Sequence, residues 1–167
     1  YNMAQYPIFL AEIASTVNEV LIDDYFYKKA TTDEEKIVYL SSFLDKVRTT
    51  IYRQTMFAEF EKIIHDKYAN NMPITAKELC ETYYDLNKLY FGKNIVVDDE
   101  IKYEWARIPH FYTPFYVYKY ATGLIAALVI ASDILENVPG AKEKYLKFLS
   151  AGGSDYPLNI LLDAGVD

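Results

Sequence analysis

The distribution of hydrophobic and polar positions along the chain predicts a protein built from helices. Apolar residues recur at helical spacing over long segments, and only six glycines and six prolines interrupt them. The pattern predicts helices over residues 8–29, 33–69, 76–91, 114–137, 141–149 and from 157 onward. Residues 93–109 show no sustained period, so we expect an ordered loop there with room for one short helical turn. The fold class predicted is all-α, a multi-helix bundle forming a single domain over residues 1–167.

Residues at the predicted helix ends support these boundaries. Thr32 with Glu35, and Thr75 with Glu78, have the spacing of capping boxes, in which side chains and backbone amides bond reciprocally. Gly92 follows the helix that ends near residue 91 and is expected to close it in a left-handed conformation.

The second predicted helix carries a long apolar seam. Its members follow a three-four alternation: Ile37, Leu40, Leu44, Val47, Ile51, Gln54 and Ala58. This spacing predicts lengthwise packing against other helices. Gln54 interrupts the seam and Arg53 lies beside it, so the pair either buries a polar network or fixes the packing register.

Glu12 is an unusual residue in the first predicted helix. It lies within the apolar run of residues 8–14, where a charge is costly unless a partner or a metal holds it. Glu19 and Asp23 fall close to the same helical face. Two interpretations follow: a solvated face of an amphipathic helix, or a metal ligand with Glu19 close by.

An aromatic segment later in the chain offers a second group of polar side chains. His110 lies just before a predicted helix that begins with Thr113 as N-cap. Tyr116 and Tyr120 are four residues apart and are expected to share one helical face, which Tyr112 joins if the helix begins early. An imidazole and phenols can donate hydrogen bonds to a developing oxyanion. The alternative is an aromatic helix packed in a core, with its hydroxyl groups reaching the surface.

Composition narrows the possible partners. The net charge of −7 argues against nucleic acid and anionic membranes, which need a basic surface. The longest apolar stretch, residues 124–131, is too short to cross a bilayer. The single cysteine, Cys80, forms no internal disulfide, which fits a reducing compartment, so we expect a cytoplasmic protein.

Histidine usage limits the metal chemistry of the chain. Only His65 and His110 are present, and neither lies in a His-Glu-x-x-His or Glu-x-x-His motif. A catalytic zinc normally takes three protein ligands, usually including histidine. We therefore expect that this chain by itself builds no complete zinc site of the usual type.

Four blocks of sequence, in order along the chain, resemble a known family. They are FLAEIASTVNE at 9–19, RQTMFAEFE at 53–61, IPHFYTPFYVYKYATG at 108–123 and GGSDYP at 152–157. Together they resemble the oligoendopeptidase F branch of the thimet-oligopeptidase family of zinc peptidases. The resemblance implies that the chain is part of a larger helical zinc-peptidase catalytic domain.

The resemblance also implies how zinc is held. In the family, two histidines of a His-Glu-x-x-His helix and a glutamate on a following helix bind the metal, and that glutamate matches Glu12. The histidine motif would precede Tyr1, so we expect a C-terminal fragment that lacks it and is inactive by itself. Zinc is accordingly expected in the intact enzyme and not in this fragment.

The remaining roles implied by the resemblance concern the aromatic segment. His110, Tyr116 and Tyr120 are expected to stabilise the oxyanion formed when water attacks a peptide bond, and Tyr112 to contact the substrate. The family hydrolyses short peptides. The alternative from a different class is a non-catalytic all-α binding or scaffold module.

Overall fold

All regular elements in residues 5–167, which the computed structural model describes, are helical. The α-helices are α1 (Ile8–Lys29), α2 (Asp33–Val47), α3 (Arg53–Ala69), α4 (Ala76–Phe91), α5 (Tyr118–Leu135), α6 (Ala141–Ala151) and α7 (Pro157–Ala164). A π-helical turn, Arg48–Tyr52, joins α2 to α3, and two 3-10 helices, Asp99–Arg107 and Pro109–Tyr112, lie between α4 and α5. The all-α class predicted from the sequence pattern is confirmed.

The two capping boxes form as predicted, whereas Gly92 does not adopt the predicted left-handed helical conformation. The Thr32 hydroxyl accepts the Glu35 amide at 3.2 Å, and the Glu35 carboxylate accepts the Thr32 amide at 3.4 Å. Thr75 and Glu78 form the second capping box at the start of α4. Gly92 ends α4 with a φ of 78°, but its ψ of 171° differs from that of a left-handed helical cap.

Two predicted elements differ from the structure. Helix α5 begins at Tyr118, and not at Pro114, because Phe115 has a φ of 58° and breaks the helical path. The segment predicted as a loop contains the nine-residue 3-10 helix Asp99–Arg107. Its position depends on side-chain contacts from distant parts of the chain, which hydrophobic periodicity does not report.

The apolar seam predicted over α2 and α3 is interrupted in the structure. None of the residues of α2 is buried, and Ile37, Leu40 and Leu44 are exposed. The predicted lengthwise packing of α2 is therefore wrong for these side chains. A π turn changes the register of a helix, and the residues buried beyond it belong to a different stripe, which includes Met56 and Phe60.

The chain divides into two compact units, which we call the terminal unit (Tyr1–Lys46 and Thr122–Asp167) and the central unit (Val47–Ala121). The core of the terminal unit combines one stripe of α1 with α5, α6 and α7. Its buried members are Leu10, Ile13, Val17, Val20, Ala126, Ala127, Ile130, Ala131, Tyr145, Phe148, Ile160, Leu161 and Ala164.

A glycine permits one close backbone approach in the terminal unit. A Cβ atom placed on Gly153 would lie 2.3 Å from the carbonyl oxygen of Gln5. Since no side chain fits at that distance, the turn before α7 requires glycine at this position.

The core of the central unit is dominated by aromatic and aliphatic side chains. Its buried members are Met56, Phe57, Phe60, Tyr83, Leu86, Ile108 and Val117. Tyr83 packs edge-on against Phe60 with ring centroids 5.1 Å apart. This core supports the aromatic segment described below.

The apolar stretch at residues 124–131 is too short to cross a bilayer, but the whole of helix α5 is long and apolar enough by length and composition alone. However, Ala126, Ala127, Ile130 and Ala131 of α5 are buried in the core of the terminal unit. This burial is typical of the core helix of a folded domain.

Candidate functional site

His110, Tyr116 and Tyr120 lie together in the central unit. The His110 ring stacks on Tyr116 with centroids 5.9 Å apart and meets Tyr120 edge-on at 5.7 Å. The two tyrosine rings are 5.5 Å apart, and His110 Nε2 lies 3.2 Å from the Tyr120 hydroxyl oxygen. The three side chains are half-buried, so they combine a fixed geometry with access from solvent. Such a group can donate hydrogen bonds to an anionic oxygen.

Neighbouring buried residues fix this cluster to the central core. Ile108 and Val117, on either side of the segment, are both buried. Between them, Phe111 packs against Phe57 at 5.2 Å and Phe60 at 5.3 Å. His110 is therefore held in place by its neighbours Ile108 and Phe111, which pack into the central core.

Glu61 of α3 makes a second attachment, which the sequence did not indicate. Its carboxylate accepts the backbone amide of Phe115 at 2.6 Å, and Glu61 itself is buried. One helical turn later, His65 contacts the ring of Phe115 with centroids 4.5 Å apart. His65 lies close to the C-terminal end of α3, which ends at Ala69.

Tyr112 makes its hydrogen bond outside the cluster of three rings. Its side chain is 77% exposed, and its hydroxyl donates to the carbonyl oxygen of Ala106 at 3.3 Å. The structure therefore places Tyr112 on the surface at the end of the second 3-10 helix. Its expected contact with substrate stays a prediction.

Glu12 lies in the terminal unit, near the start of α1. It is half-buried between the buried residues Leu10 and Ile13, and Thr16 donates its hydroxyl to the Glu12 carbonyl at 2.7 Å. Glu19, the acid expected close by, is exposed and bonds Lys46 at 3.3 Å. The helical face that Glu12 and Glu19 were predicted to share thus carries an ion pair between Glu19 and Lys46.

The described residues do not supply a complete metal site. Among residues 5–167, no group of three or more histidine, cysteine, aspartate or glutamate side chains is arranged to hold a metal ion. A zinc site needs at least three protein ligands. The described residues therefore offer zinc no complete set of ligands, and Glu12 has the chemistry of a single oxygen ligand.

Glu104 organises a polar network that supports the central unit. Its carboxylate accepts from Arg53 at 2.7 Å, from Arg107 at 2.5 Å and from the Tyr83 hydroxyl at 2.7 Å. Burial alone would raise the pKa of Glu104, but the hydrogen bonds from Tyr83 and Arg53 and the two positive charges hold it below its usual value. Burial and the same carboxylate raise the pKa of Tyr83. Of the pair Arg53 and Gln54, Arg53 joins this polar network, whereas the side-chain oxygen of Gln54 is buried with no hydrogen-bond partner among the described residues.

Comparison with known proteins defines the class to which this helical fold belongs. The sequence matches Peptidase family M3 over residues 1–167. The chain belongs to this family, as its four sequence blocks indicated.

Individual relatives in the family are oligopeptidases by name. The chain is 47% identical over its whole length to Oligopeptidase PepF of Bacillus subtilis, of which it covers 25%. It is 50% identical over 97% of its length to an oligoendopeptidase F homolog of Borreliella burgdorferi, of which it covers 28%. The crystal structure of oligoendopeptidase-F from Enterococcus faecium superposes with a TM-score of 0.92 at 44% identity, covering 97% of this chain and 31% of that one. The chain thus spans between a quarter and a third of the length of these relatives.

Proposed function

We propose that this chain supplies residues to a zinc metallo-endopeptidase that hydrolyses short peptides. Membership in Peptidase family M3 and the names of the relatives support a peptidase. The observation that carries the proposal is the His110, Tyr116 and Tyr120 cluster. It places an imidazole within hydrogen-bonding distance of one phenol and in ring contact with a second.

The residues of the central unit have the following roles in this proposal. His110 and Tyr120 donate hydrogen bonds to the oxygen of the scissile carbonyl as negative charge develops on it. Tyr116 packs against both rings and offers a second phenol to the same oxygen. Tyr112, exposed on the adjacent 3-10 helix, contacts the peptide substrate.

The terminal unit contributes a metal ligand in this proposal. Glu12 would supply a carboxylate ligand to zinc, and the other ligands would come from the remainder of the peptidase, because the described residues hold no group of three or more metal-ligating side chains. When bound, zinc supplies a Lewis acid and lowers the pKa of a coordinated water.

The test of this role uses the full-length peptidase that carries these residues. Glu12→Ala is expected to remove zinc after dialysis and to lower peptide turnover by more than about 100-fold, since losing a direct ligand costs more than losing a residue that only orients one. Zinc content is measured by mass spectrometry and turnover with an internally quenched peptide.

Glu19→Ala is the matched control, because Glu19 is exposed on the same helix and bonds only at the surface with Lys46. It should retain zinc and activity. If Glu12→Ala keeps both its zinc and its turnover, Glu12 belongs to the solvated face of α1. A full-length protein that cleaves no peptide would favour a non-catalytic helical scaffold.

A further inference from the structure

We propose that Glu61 is a positioning residue that sets Tyr116 beside His110 by holding the backbone of Phe115. The inference rests on the proposed function, in which His110, Tyr116 and Tyr120 act on the substrate. Glu61 itself touches no member of that cluster in its observed hydrogen bond, which runs to the residue preceding Tyr116.

The backbone of Phe115 is in an unfavourable conformation. Its φ of 58° lies in the left-handed region, where a bulky aromatic residue is rare because its Cβ crowds the following carbonyl. Such a conformation persists only where surrounding contacts over-determine it, and these positions concentrate at functional sites.

Glu61 provides the contact that fixes this conformation. Its side chain is 5% exposed, and its Oε1 lies 2.6 Å from the Phe115 nitrogen. A charge-assisted hydrogen bond to a backbone amide is short and strong, and it satisfies a buried carboxylate that would otherwise be costly. The 2.6 Å bond therefore stabilises both the buried charge and the strained backbone.

The same helix fixes both sides of the cluster. On one side, Phe57 and Phe60 of α3 hold Phe111, the residue after His110. On the other side, Glu61 holds Phe115, the residue before Tyr116. The separation of the His110 and Tyr116 rings is thus set by residues within little more than one turn of α3.

Two substitutions of Glu61 distinguish the effect of side-chain length from the effect of side-chain charge. Glu61→Gln keeps an oxygen at the same reach and loses the charge, whereas Glu61→Asp keeps the charge and shortens the reach by one methylene. If the role is geometric, Gln should keep kcat within about threefold of the wild type. Asp and Ala should lower kcat at least about tenfold, because a displacement near 1 Å can cost up to about 100-fold.

The experiment measures kcat and KM of the full-length peptidase with an internally quenched peptide, together with its thermal midpoint. KM should change less than about threefold in the Ala and Asp variants, since oxyanion contacts act mainly in the transition state. Glu59→Ala is the control: Glu59 lies on the same helix and accepts the Tyr90 hydroxyl at 2.7 Å, outside the cluster. It should lower the midpoint and leave kcat unchanged.

The outcomes are distinct. Lower kcat in Asp than in Gln supports the inference, and if Glu61→Ala does not fold, this pair alone decides the question. Equal kcat in Asp and Gln, a lower kcat in Gln, or a parallel loss in Glu59→Ala would overturn it. Absence of peptide cleavage by the wild type would instead overturn the proposed function on which the inference rests.

Discussion

At the scale of the residue, the hydroxyl of Tyr120 can be separated from its ring. The ring packs edge-on against both His110 and Tyr116, whereas the hydroxyl oxygen approaches His110 Nε2 at 3.2 Å. Replacing tyrosine by phenylalanine keeps the packing and removes one donor. The change therefore measures hydrogen bonding in the reaction and little else.

Tyr120→Phe in the full-length peptidase is expected to lower kcat by about 100-fold with little change in KM, the size found for removing one oxyanion donor. Steady-state kinetics with a quenched peptide checks this. Tyr90→Phe is the control, because it loses a hydroxyl that bonds Glu59 at 2.7 Å, outside the cluster. Unchanged kcat in Tyr120→Phe would restrict Tyr120 to packing.

The sequence grouped His110, Tyr116 and Tyr120, and the structure brings their rings together, but the predicted reason for that grouping was partly wrong. A four-residue spacing on one helix was expected to bring Tyr116 and Tyr120 together, but α5 begins only at Tyr118. The rings meet because Tyr116 is held in the preceding turn by contacts made at Phe115. Glu61 was missed, since it lies 54 residues from Phe115 and no local pattern reports such a contact.

At the scale of the element, the 3-10 helix Asp99–Arg107 is held by the charge of Glu104. That carboxylate bonds Arg53 of α3 and Tyr83 of α4, so it joins three elements of the central unit. Its pKa is depressed despite burial, so the ionised form is favoured in the folded state. The stabilisation is therefore complete above the unfolded pKa, near 4.5, and is lost as the pH falls through the lower pKa of the folded state.

Glu104→Gln is expected to reduce the free energy of unfolding of the chain by about 2 kcal/mol at pH 7, the size of a lost hydrogen bond to a charged group. The difference from wild type should shrink as the pH falls below 4.5, because the carboxylate is protonated first in the unfolded state and, at lower pH, in the folded state as well. Urea unfolding followed by circular dichroism between pH 7 and pH 3 measures it. Glu100→Gln, on the same 3-10 helix but exposed, should show no comparable loss. A difference that is constant with pH would contradict the role of the charge.

Element boundaries were predictable where local chemistry determines them. The range of α1, both capping boxes and the start of α7 at Pro157 follow from residues adjacent in sequence. The 3-10 helix around Glu104 does not, because Arg53 and Tyr83 from distant segments hold it. The π turn Arg48–Tyr52 interrupts a segment whose hydrophobic pattern predicted one continuous helix.

At the scale of the whole molecule, the family of the chain was predictable from the sequence, whereas a complete metal site was not. The chain belongs to Peptidase family M3, yet it covers 25% of the Bacillus subtilis relative. Its four sequence blocks were enough to predict the family. The sequence could not locate a complete zinc site, because it holds only two histidines and one cysteine and neither histidine lies in a zinc-binding motif.

The isolated 167-residue chain is therefore expected to behave differently from the full-length peptidase. With no group of three metal-ligating side chains among its described residues, it should retain less than one equivalent of zinc after dialysis and should cleave no quenched peptide. Mass spectrometry and fluorescence measure the two properties, with the full-length peptidase as the positive control. Circular dichroism must show helix in the isolated chain, so that inactivity is not mistaken for unfolding. Stoichiometric zinc with peptide turnover would mean that this chain assembles a catalytic centre from its own residues, and that Glu12 has metal-binding neighbours which the sequence pattern did not indicate.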